Sequence, residues 1–475
     1  MSFSDKANGL RLTVIAAALL AAGLAQAQAG GGVAAGGAHT PPSVPGKDIL
    51  LEQRAPAEPF QPAQYTPAQV QQHVAPAPVP VARPAVPAPA RGATGDMPRQ
   101  FAFSVAAVDL GLAMLRDQVA RQGNAAGNGV YSPFGIASTL GMLHAASAGE
   151  TRREVGQLLA PGASGDMELT LRLRELLPRM TGSGGVKMQV ANGIWVNQAT
   201  GLQPSAMFRS ALNQDYRATM RVLDFSTGAE AVAQINAEVK KQTGGNISRL
   251  LADDALGERA RFVLTNALHF KGQWATRFDP AQTRPGTFHV DGGEPVQVPM
   301  MLGRVAFRET VADNVQVYEL PYVGEQFSML IALPPTGHSL AALEHDLRGA
   351  DVQGWWATLR PGEGELMMPR VKLAAREALR MRGLLEKLGV KKAFSGEADL
   401  TELGAGADAH LDEVFHAATF AMDEEGAEAS AATAAVGVSK SFGPPPRRID
   451  RPFLFMIVHK PSRMPVVMGR VARPD

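Results

Sequence analysis

The chain contains none of the short motifs that usually mark a catalytic centre. It has no Gly-x-Ser-x-Gly elbow, no His-Glu-x-x-His site, no Walker loop and no Gly-x-Gly-x-x-Gly turn after a strand. Its 10 histidines do not cluster at metal-ligand spacing, and without cysteine it has neither a thiol nucleophile nor a disulfide. A Ser-His-Asp triad built from distant residues leaves no local motif, but nothing in the sequence points to one. We therefore predict a protein that is not an enzyme and that uses no metal or cofactor.

The most unusual segment is Glu424–Ser441, a long run of very small side chains that ends near a lone lysine, Lys440. Alanine favours a helix, so composition alone allows a helix or, equally, a flexible loop in which little drives burial. As an extended strand, the segment has two different faces. One face is small and nearly apolar, and it consists of Ala427, Ala429, Ala431, Thr433 and Ala435. The other face carries the charge of Glu428, so the segment could enter a crowded sheet with Glu428 left in water.

Several blocks, in order along the chain, resemble one family. The stretch Glu424–Thr433 resembles the hinge of the serpin reactive-centre loop, and Asp450–Phe455 with Met468–Val471 resembles the serpin C-terminal signature. The most specific block is Thr265–Trp274, which reads TNALHFKGQW. Further blocks that fit are Asn128–Pro133, Ala148–Thr151, Ala191–Val196, Val222–Phe225, Glu319–Tyr322 and Leu388–Val390. The resemblance runs from about Phe101 to Val471.

Hydrophobic periodicity predicts helices early in this region and strands later, without the alternation of a βαβ fold. The predicted helices are Val105–Val119, a helix that begins at Ser132-Pro133, Ala229–Thr243 and Leu379–Leu388. The predicted strands are Lys187–Val196, Arg261–Phe270, Val315–Pro321, Ser328–Leu333, Phe415–Met422, Phe453–Val458 and Pro465–Val471. This pattern indicates an α+β domain. The resemblance implies one serpin domain, residues 99–475, with three β-sheets, eight or nine helices and an exposed reactive-centre loop.

The resemblance also implies a mechanism. In the family, a serine protease attacks the reactive bond and forms an ester, and the cleaved loop then inserts into the central sheet as a new strand. Seventeen residues counted from the acidic residue before the hinge glycine, here Glu424, end at Lys440, so the bond is Lys440–Ser441. Counting back from Pro452 gives the bond Ser441–Phe442 instead. We prefer the count from the hinge, because only the hinge side of the loop must keep register with the sheet. A buried lysine needs a carboxylate partner, which implies a trypsin-like target; outside the family context, Lys440 would be an ordinary loop lysine.

Three further groups of residues carry over from the family. The loop hinge corresponds to Glu424, Gly426, Ala427, Glu428, Ala429, Ser430, Ala431, Ala432 and Thr433, with Ala427 where the family has Thr or Ser. The shutter, a polar cluster under the central sheet, corresponds to Ser132, Asn266 and His416. A second shutter serine is replaced by Gly135, which leaves the network one polar partner short. Trp274 corresponds to the aromatic residue at the breach, where the loop first enters. Alternatively, Ser132 only caps a helix, and His416 and Trp274 are ordinary core residues.

The N-terminus has the pattern of a secretory signal peptide, residues 1–29. Lys6 and Arg11 precede the apolar run Leu12–Ala25, which is short for a membrane span, and small-x-small cleavage sites follow. An uncleaved anchor is the alternative. Residues 30–98 are rich in Ala, Pro and Gly, which predicts a disordered or semi-stiff tether or a plain linker.

These observations predict a secreted monomer that inhibits trypsin-like serine proteases by forming a covalent acyl complex. A non-inhibitory serpin-fold carrier or chaperone is the alternative, although such members usually carry charged, bulky or Pro residues in the hinge, and this hinge does not. With 475 residues and a net charge of +1, the chain has ample length for a large core and no electrostatic signature of nucleic-acid binding. No segment after the N-terminal one is apolar and long enough to span a bilayer.

Overall fold

Two long strands, β4 (Phe262–Gln273) and β14 (Leu411–Met422), lie side by side in the middle of one of two seven-stranded sheets, called here the central sheet. Their side chains are almost all buried, since the sheet is covered on both faces. A computed structural model of the protein describes residues 101–123, 126–161, 174–180, 185–362, 364–374, 377–404, 409–427 and 445–474. The predicted signal peptide, the tether and most of the loop after Ala427 lie outside these residues.

The central sheet has the strand order β12-β14-β4-β2-β3. Its remaining strands are β2 (Val186–Asn197), β3 (Thr219–Leu223), β12 (Val371–Ala374), β13 (Leu379–Arg380), which pairs with β14, and β15 (Gly426–Ala427), which pairs with β4. Strands β4 and β14 are parallel, whereas β2 is antiparallel to β4 along nearly its whole length, from Val186 opposite Gly272 to Val196 opposite Phe262. One edge of β4 is therefore fully occupied by β2.

Two other sheets complete the β structure of the described residues. The second sheet has the order β1-β18-β17-β9-β8-β7-β10 and the third β16-β11-β6-β5. The second sheet consists of β1 (Gly129–Tyr131), β7 (Arg308–Ala312), β8 (Val315–Pro321), β9 (Phe327–Leu333), β10 (Arg360–Pro361), β17 (Phe453–His459) and β18 (Met464–Val471). The third consists of β5 (Arg284–Phe288), β6 (Val296–Gly303), β11 (Leu366–Pro369) and β16 (Arg447–Arg448).

Helices pack on these sheets. They are α1 (Ala102–Gln122), α2 (Pro133–Ala146), α3 (Gly149–Leu159), α4 (Ala206–Tyr216), α5 (Gly228–Gln242), α6 (Leu340–Asp346), α7 (Gly349–Thr358) and α8 (Arg382–Lys387), and residues 174–180 are also helical. Helix α2 is buried on nearly all sides because it contacts the central sheet through β4 and β2 and the second sheet through β18. Helix α5 covers the opposite face of the central sheet with apolar residues such as Ile235 and Val239.

The structure confirms the α+β fold and most predicted elements to within a few residues. Ser132 caps α2 as predicted, because its hydroxyl accepts a 2.9 Å hydrogen bond from the Gly135 amide. One boundary was wrong: the helix predicted from Leu379 begins only at Arg382. Leu379 and Arg380 instead form β13, opposite His416 and Phe415, because the unpaired edge of β14 offers these residues backbone partners before the helix can begin.

Candidate functional site: the seam between β4 and β14 and its hinge

The seam between β4 and β14 opens where the loop hinge begins. The two strands pair in parallel from Leu411 opposite Phe262 to Thr419 opposite His269. Beyond that pair, β15 runs antiparallel to β4, with Gly426 opposite Gln273 and Ala427 opposite Gly272. Because β2 already occupies the other edge of β4, β15 lies on the β14 side. The first residues of the hinge thus begin a strand directed into the seam.

A tight turn between β14 and β15 brings the chain back to β4. Asp423 and Gly426 exchange backbone hydrogen bonds of 2.8 and 3.3 Å, and the Asp423 carboxylate accepts from the amides of Glu425 and Gly426 at 2.9 and 3.2 Å. Gly426 has φ 139°, and a Cβ there would overlap the Gly272 carbonyl. The glycine that the sequence pattern places in the hinge is therefore required by both backbone conformation and space.

Glu424 anchors the start of the hinge. Its carboxylate accepts hydrogen bonds of 2.8 and 2.9 Å from Arg370 Nε and a further one from the Thr283 hydroxyl. Burial opposes ionisation of this carboxyl, but the Arg370 and Thr283 hydrogen bonds outweigh it and hold the pKa of Glu424 below its usual value. The sequence identifies Glu424 but not Arg370 or Thr283, since no local pattern links residues so far apart.

Trp274 lies directly over the turn. Its indole Nε1 donates a 2.9 Å hydrogen bond to the Asp423 carbonyl, and its backbone amide donates one of 2.8 Å to the Glu425 carbonyl. The indole stacks on Tyr322 with ring centroids 4.6 Å apart and an interplanar angle of 10°. Trp274 therefore both packs in the core and fixes the point at which the hinge enters the sheet.

The three predicted shutter residues come together beneath the seam. The Ser132 amide donates to His416 Nε2 at 2.9 Å, and His416 Nδ1 lies 2.9 Å from Asn266 Oδ1. Because Nε2 accepts, the proton of the neutral ring is on Nδ1 and is donated to Asn266. The Ser132 hydroxyl donates to the Val466 carbonyl at 2.7 Å. Burial lowers the pKa of His416 to about 3, so this ring is neutral near pH 7.

Two residues that the sequence analysis did not assign to the shutter, Asn192 and Ser138, extend this network. Asn266 Nδ2 donates to Asn192 Oδ1 at 2.7 Å, and Asn192 Nδ2 donates to the Ser138 hydroxyl at 3.1 Å and to the Tyr216 carbonyl at 3.0 Å. The network that was expected to be one partner short is completed from β2 and α2. The glycine at 135 has a steric reason, because a Cβ there would overlap Asn266 Oδ1. The motif Asn192-Gly193 is visible in the sequence, but its contact with the seam is not.

The predicted reactive-bond residues Lys440 and Ser441, and the predicted hinge residues from Glu428 to Thr433, lie outside the described residues. The chain is described again before β16, where the backbone of Arg447 donates to the Glu365 carbonyl at 2.8 Å. Arg447 also forms a bidentate ion pair with Glu309 at 2.9 and 3.0 Å. This arginine is thus held in a sheet, unlike the extended free side chain that a protease pocket accepts.

In the described part of the chain, no helix is both long and apolar enough to cross a bilayer. Within those residues, no group of three or more His, Cys, Asp or Glu side chains is arranged to hold a metal ion. The seam and its hinge therefore remain the best-defined candidate site.

Comparison with known proteins agrees with this geometry. The family model described as "Serpin (serine protease inhibitor)" matches residues 106–474. Glia-derived nexin of Homo sapiens is 33% identical over 357 residues, which cover 73% of this chain and 88% of that relative. Serpin-Z7 of Hordeum vulgare is 32% identical over 368 residues, covering 74% and 91%. The crystal structure of native protease nexin-1 with heparin has a TM-score of 0.69 at 28% identity, covering 79% of this chain and 100% of that one.

Proposed function

Because this chain belongs to the serpin family, we propose that it is a secreted suicide inhibitor of trypsin-like serine proteases. The protease serine attacks the carbonyl carbon of Lys440, the bond to Ser441 breaks, and Ser441 leaves with a protonated amine. The acyl group of Lys440 stays on the protease as an ester. The released hinge side of the loop then enters the seam between β4 and β14 as an added strand, which carries the protease away and distorts its active site.

The observation that carries this proposal is the pairing of β15 with β4 on the side of the seam. Strand β15 is antiparallel to β4, so each further loop residue that enters the sheet meets the preceding residue of β4. The extended register pairs Glu428 with Lys271, Ala429 with Phe270, Ser430 with His269, Ala431 with Leu268, Ala432 with Ala267 and Thr433 with Asn266. No insertion or bulge is needed to obtain these pairs.

These pairs match in size and charge. The loop residues opposite Phe270 and Leu268, both fully buried in the core, are alanines, which add little volume to an already packed layer. The only charged residue of the inserted stretch, Glu428, falls opposite half-buried Lys271, where opposite charges attract across neighbouring strands. Thr433 falls between Asn266 and His416, where its hydroxyl can replace the hydrogen bond that strand separation breaks.

The proposed trypsin-like specificity rests on Lys440. Lysine enters a pocket that has a carboxylate at its base, because an unpaired ammonium is costly to bury. The rival basic residue Arg447 is engaged by Glu309 and by the β16 backbone, so cleavage there would first require local unfolding. This supports the bond Lys440–Ser441 over the Arg447–Arg448 region.

Incubation with trypsin tests the proposal. An inhibitor forms a complex that survives boiling in SDS, and the C-terminal peptide released from it begins at Ser441 by intact mass. Trypsin whose active-site serine is replaced by alanine is the control, and it should form no such complex. Cleavage without a trapped complex would favour the alternative, a non-inhibitory serpin-fold carrier or chaperone, and a released peptide that begins at Arg448 or Ile449 would refute the assigned bond.

Secretion is proposed from the N-terminal sequence, in which Lys6 and Arg11 precede the apolar run Leu12–Ala25. Expression of the full chain followed by N-terminal sequencing of exported protein tests it. A mature N-terminus close to residue 30 is expected. Retention of the apolar run on membrane-bound protein would favour the uncleaved anchor.

A further inference from the structure

The open end of the seam is bridged by one pair of side chains. His269 of β4 and Thr419 of β14 are the last residues that face each other before the strands diverge. The ring Nδ1 of His269 lies 2.9 Å from the Thr419 hydroxyl oxygen, and His269 is only 5% exposed. The bond therefore sits next to β15, at the place where a new strand would enter.

Most of the other facing residues of the seam are apolar and contribute no side-chain hydrogen bond across it. Examples are Val414 opposite Leu264, Ala417 opposite Ala267 and Ala418 opposite Leu268. The shutter bond between His416 and Asn266 is a second polar link across the seam, three residues further along β4. The seam is thus joined by polar side chains near its open end and beneath its middle, and at its far end the Asp412 carboxylate of β14 accepts a 3.0 Å hydrogen bond from the Phe262 amide of β4.

We infer that the His269–Thr419 hydrogen bond is a latch that holds the seam closed and sets the rate at which a strand can enter it. Neighbouring strands lie about 4.8 Å apart, so one inserted strand moves β4 and β14 apart by about that distance. A hydrogen bond of 2.9 Å cannot survive this movement. The bond is present in the closed sheet and lost during opening, so it raises the barrier to opening.

The latch acts early because of its position. Strand β15 already ends at Ala427 opposite Gly272, and His269 is only three residues further along β4. A strand that grows from the hinge must therefore break this bond before it reaches the shutter. One hydrogen bond of this kind contributes about 0.5–1.5 kcal/mol, which corresponds to opening about twofold to tenfold faster when the bond is removed. The role of the latch in inhibition rests on the proposed function, whereas its role in seam opening does not.

The substitution Thr419→Val tests the latch, since it removes the hydroxyl and keeps the side-chain shape. The matched control is Thr265→Val, which removes a 2.8 Å hydrogen bond from Trp195 Nε1. That bond joins β4 to β2, two strands that stay paired when the seam opens. The substitution His269→Phe removes the same latch from the other strand, in case one variant folds poorly.

Two measurements separate the latch from the proposed function. Amide hydrogen exchange of the uncleaved protein reports seam opening directly, and Thr419→Val should speed exchange of the β14 amides paired with β4 about twofold to tenfold. Thr265→Val should leave these amides within twofold of the parent. The double variant His269→Phe with Thr419→Val should match either single variant, because both remove one bond. Equal exchange in Thr419→Val and the parent would overturn the latch.

Trapping of trypsin is the second measurement. With the latch removed, more of the acyl-enzyme should be trapped for each molecule cleaved, because insertion competes better with ester hydrolysis. If exchange rises as expected but the parent protein traps no trypsin, then the proposed inhibition fails while the latch stands. If the parent traps trypsin but exchange is unchanged in both latch variants, the latch fails and inhibition stands.

Discussion

A carboxylate introduced at position 429 of the loop should convert this protein from an inhibitor into a substrate. If the loop inserts in the register of β15 on β4, Ala429 is expected opposite Phe270, which is fully buried, so Ala429→Asp would direct an unpaired charge into the core. An uncompensated buried charge costs about 3 kcal/mol or more. Position 429 lies two residues beyond β15, so it would be among the first residues to enter the sheet. Most of the free-energy cost of burying the charge therefore arises early in insertion and raises the barrier to it. Insertion would then slow by about 100-fold.

The assay counts the protein molecules consumed for each trypsin molecule trapped. Ester hydrolysis is unchanged by the substitution, so an insertion step slowed about 100-fold loses the competition, and the loop is cut and released. The sharper variant is the swap Glu428→Ala with Ala429→Glu, which keeps composition and net charge but moves the carboxylate from the Lys271 side to the Phe270 side. Glu428→Ala alone is the control and should remain an inhibitor. A swap variant that traps trypsin with the parent's stoichiometry would refute the register.

Three further predictions concern cleavage of the loop, the specificity residue Lys440 and the shutter residue His416. Cleavage of the loop should raise the melting temperature by about 20 °C or more, because roughly a dozen new backbone hydrogen bonds between strands contribute on the order of 10 kcal/mol. An unchanged melting temperature after cleavage would contradict insertion of the loop. Lys440→Arg should keep trypsin inhibition, whereas Lys440→Leu should lose it and gain chymotrypsin- or elastase-like targets. If Lys440→Leu inhibited trypsin at the parent's rate, Lys440 would not be the residue that enters the protease pocket. The pKa of His416 is lowered from 6.5 to about 3 by burial, so the unfolded chain binds a proton between these values that the folded protein does not. The free energy of unfolding should therefore fall as the pH drops from about 6.5 to about 3. His416→Gln should flatten this dependence of the unfolding free energy on pH. Equal slopes for the variant and the parent would contradict the prediction.

The family and most element types could be predicted from the sequence, and the resemblance also predicts where the hinge begins. Alternation in Lys187–Val196 and the serine before Pro133 predict structure from neighbours a few residues apart, and the structure confirms both. The family resemblance predicts that Gly426 is the hinge glycine, and the structure supplies a physical reason for a glycine there, because this turn has a positive φ and no room for a Cβ. Local patterns carry these features because their causes, backbone conformation and periodic burial, act over a few residues.

The distant residues that contact the seam and its hinge could not be predicted from the sequence, because the packed fold brings them together. Arg370 and Thr283 reach Glu424 from other strands and loops, and Asn192 completes the shutter from β2. The pairing of His269 with Thr419 depends on the register between β4 and β14, and a shift of one residue would turn one of the two side chains to the opposite face. Sequence order does not contain that register. It follows from how the sheets close around α2 and α5, which is a property of the whole packed domain.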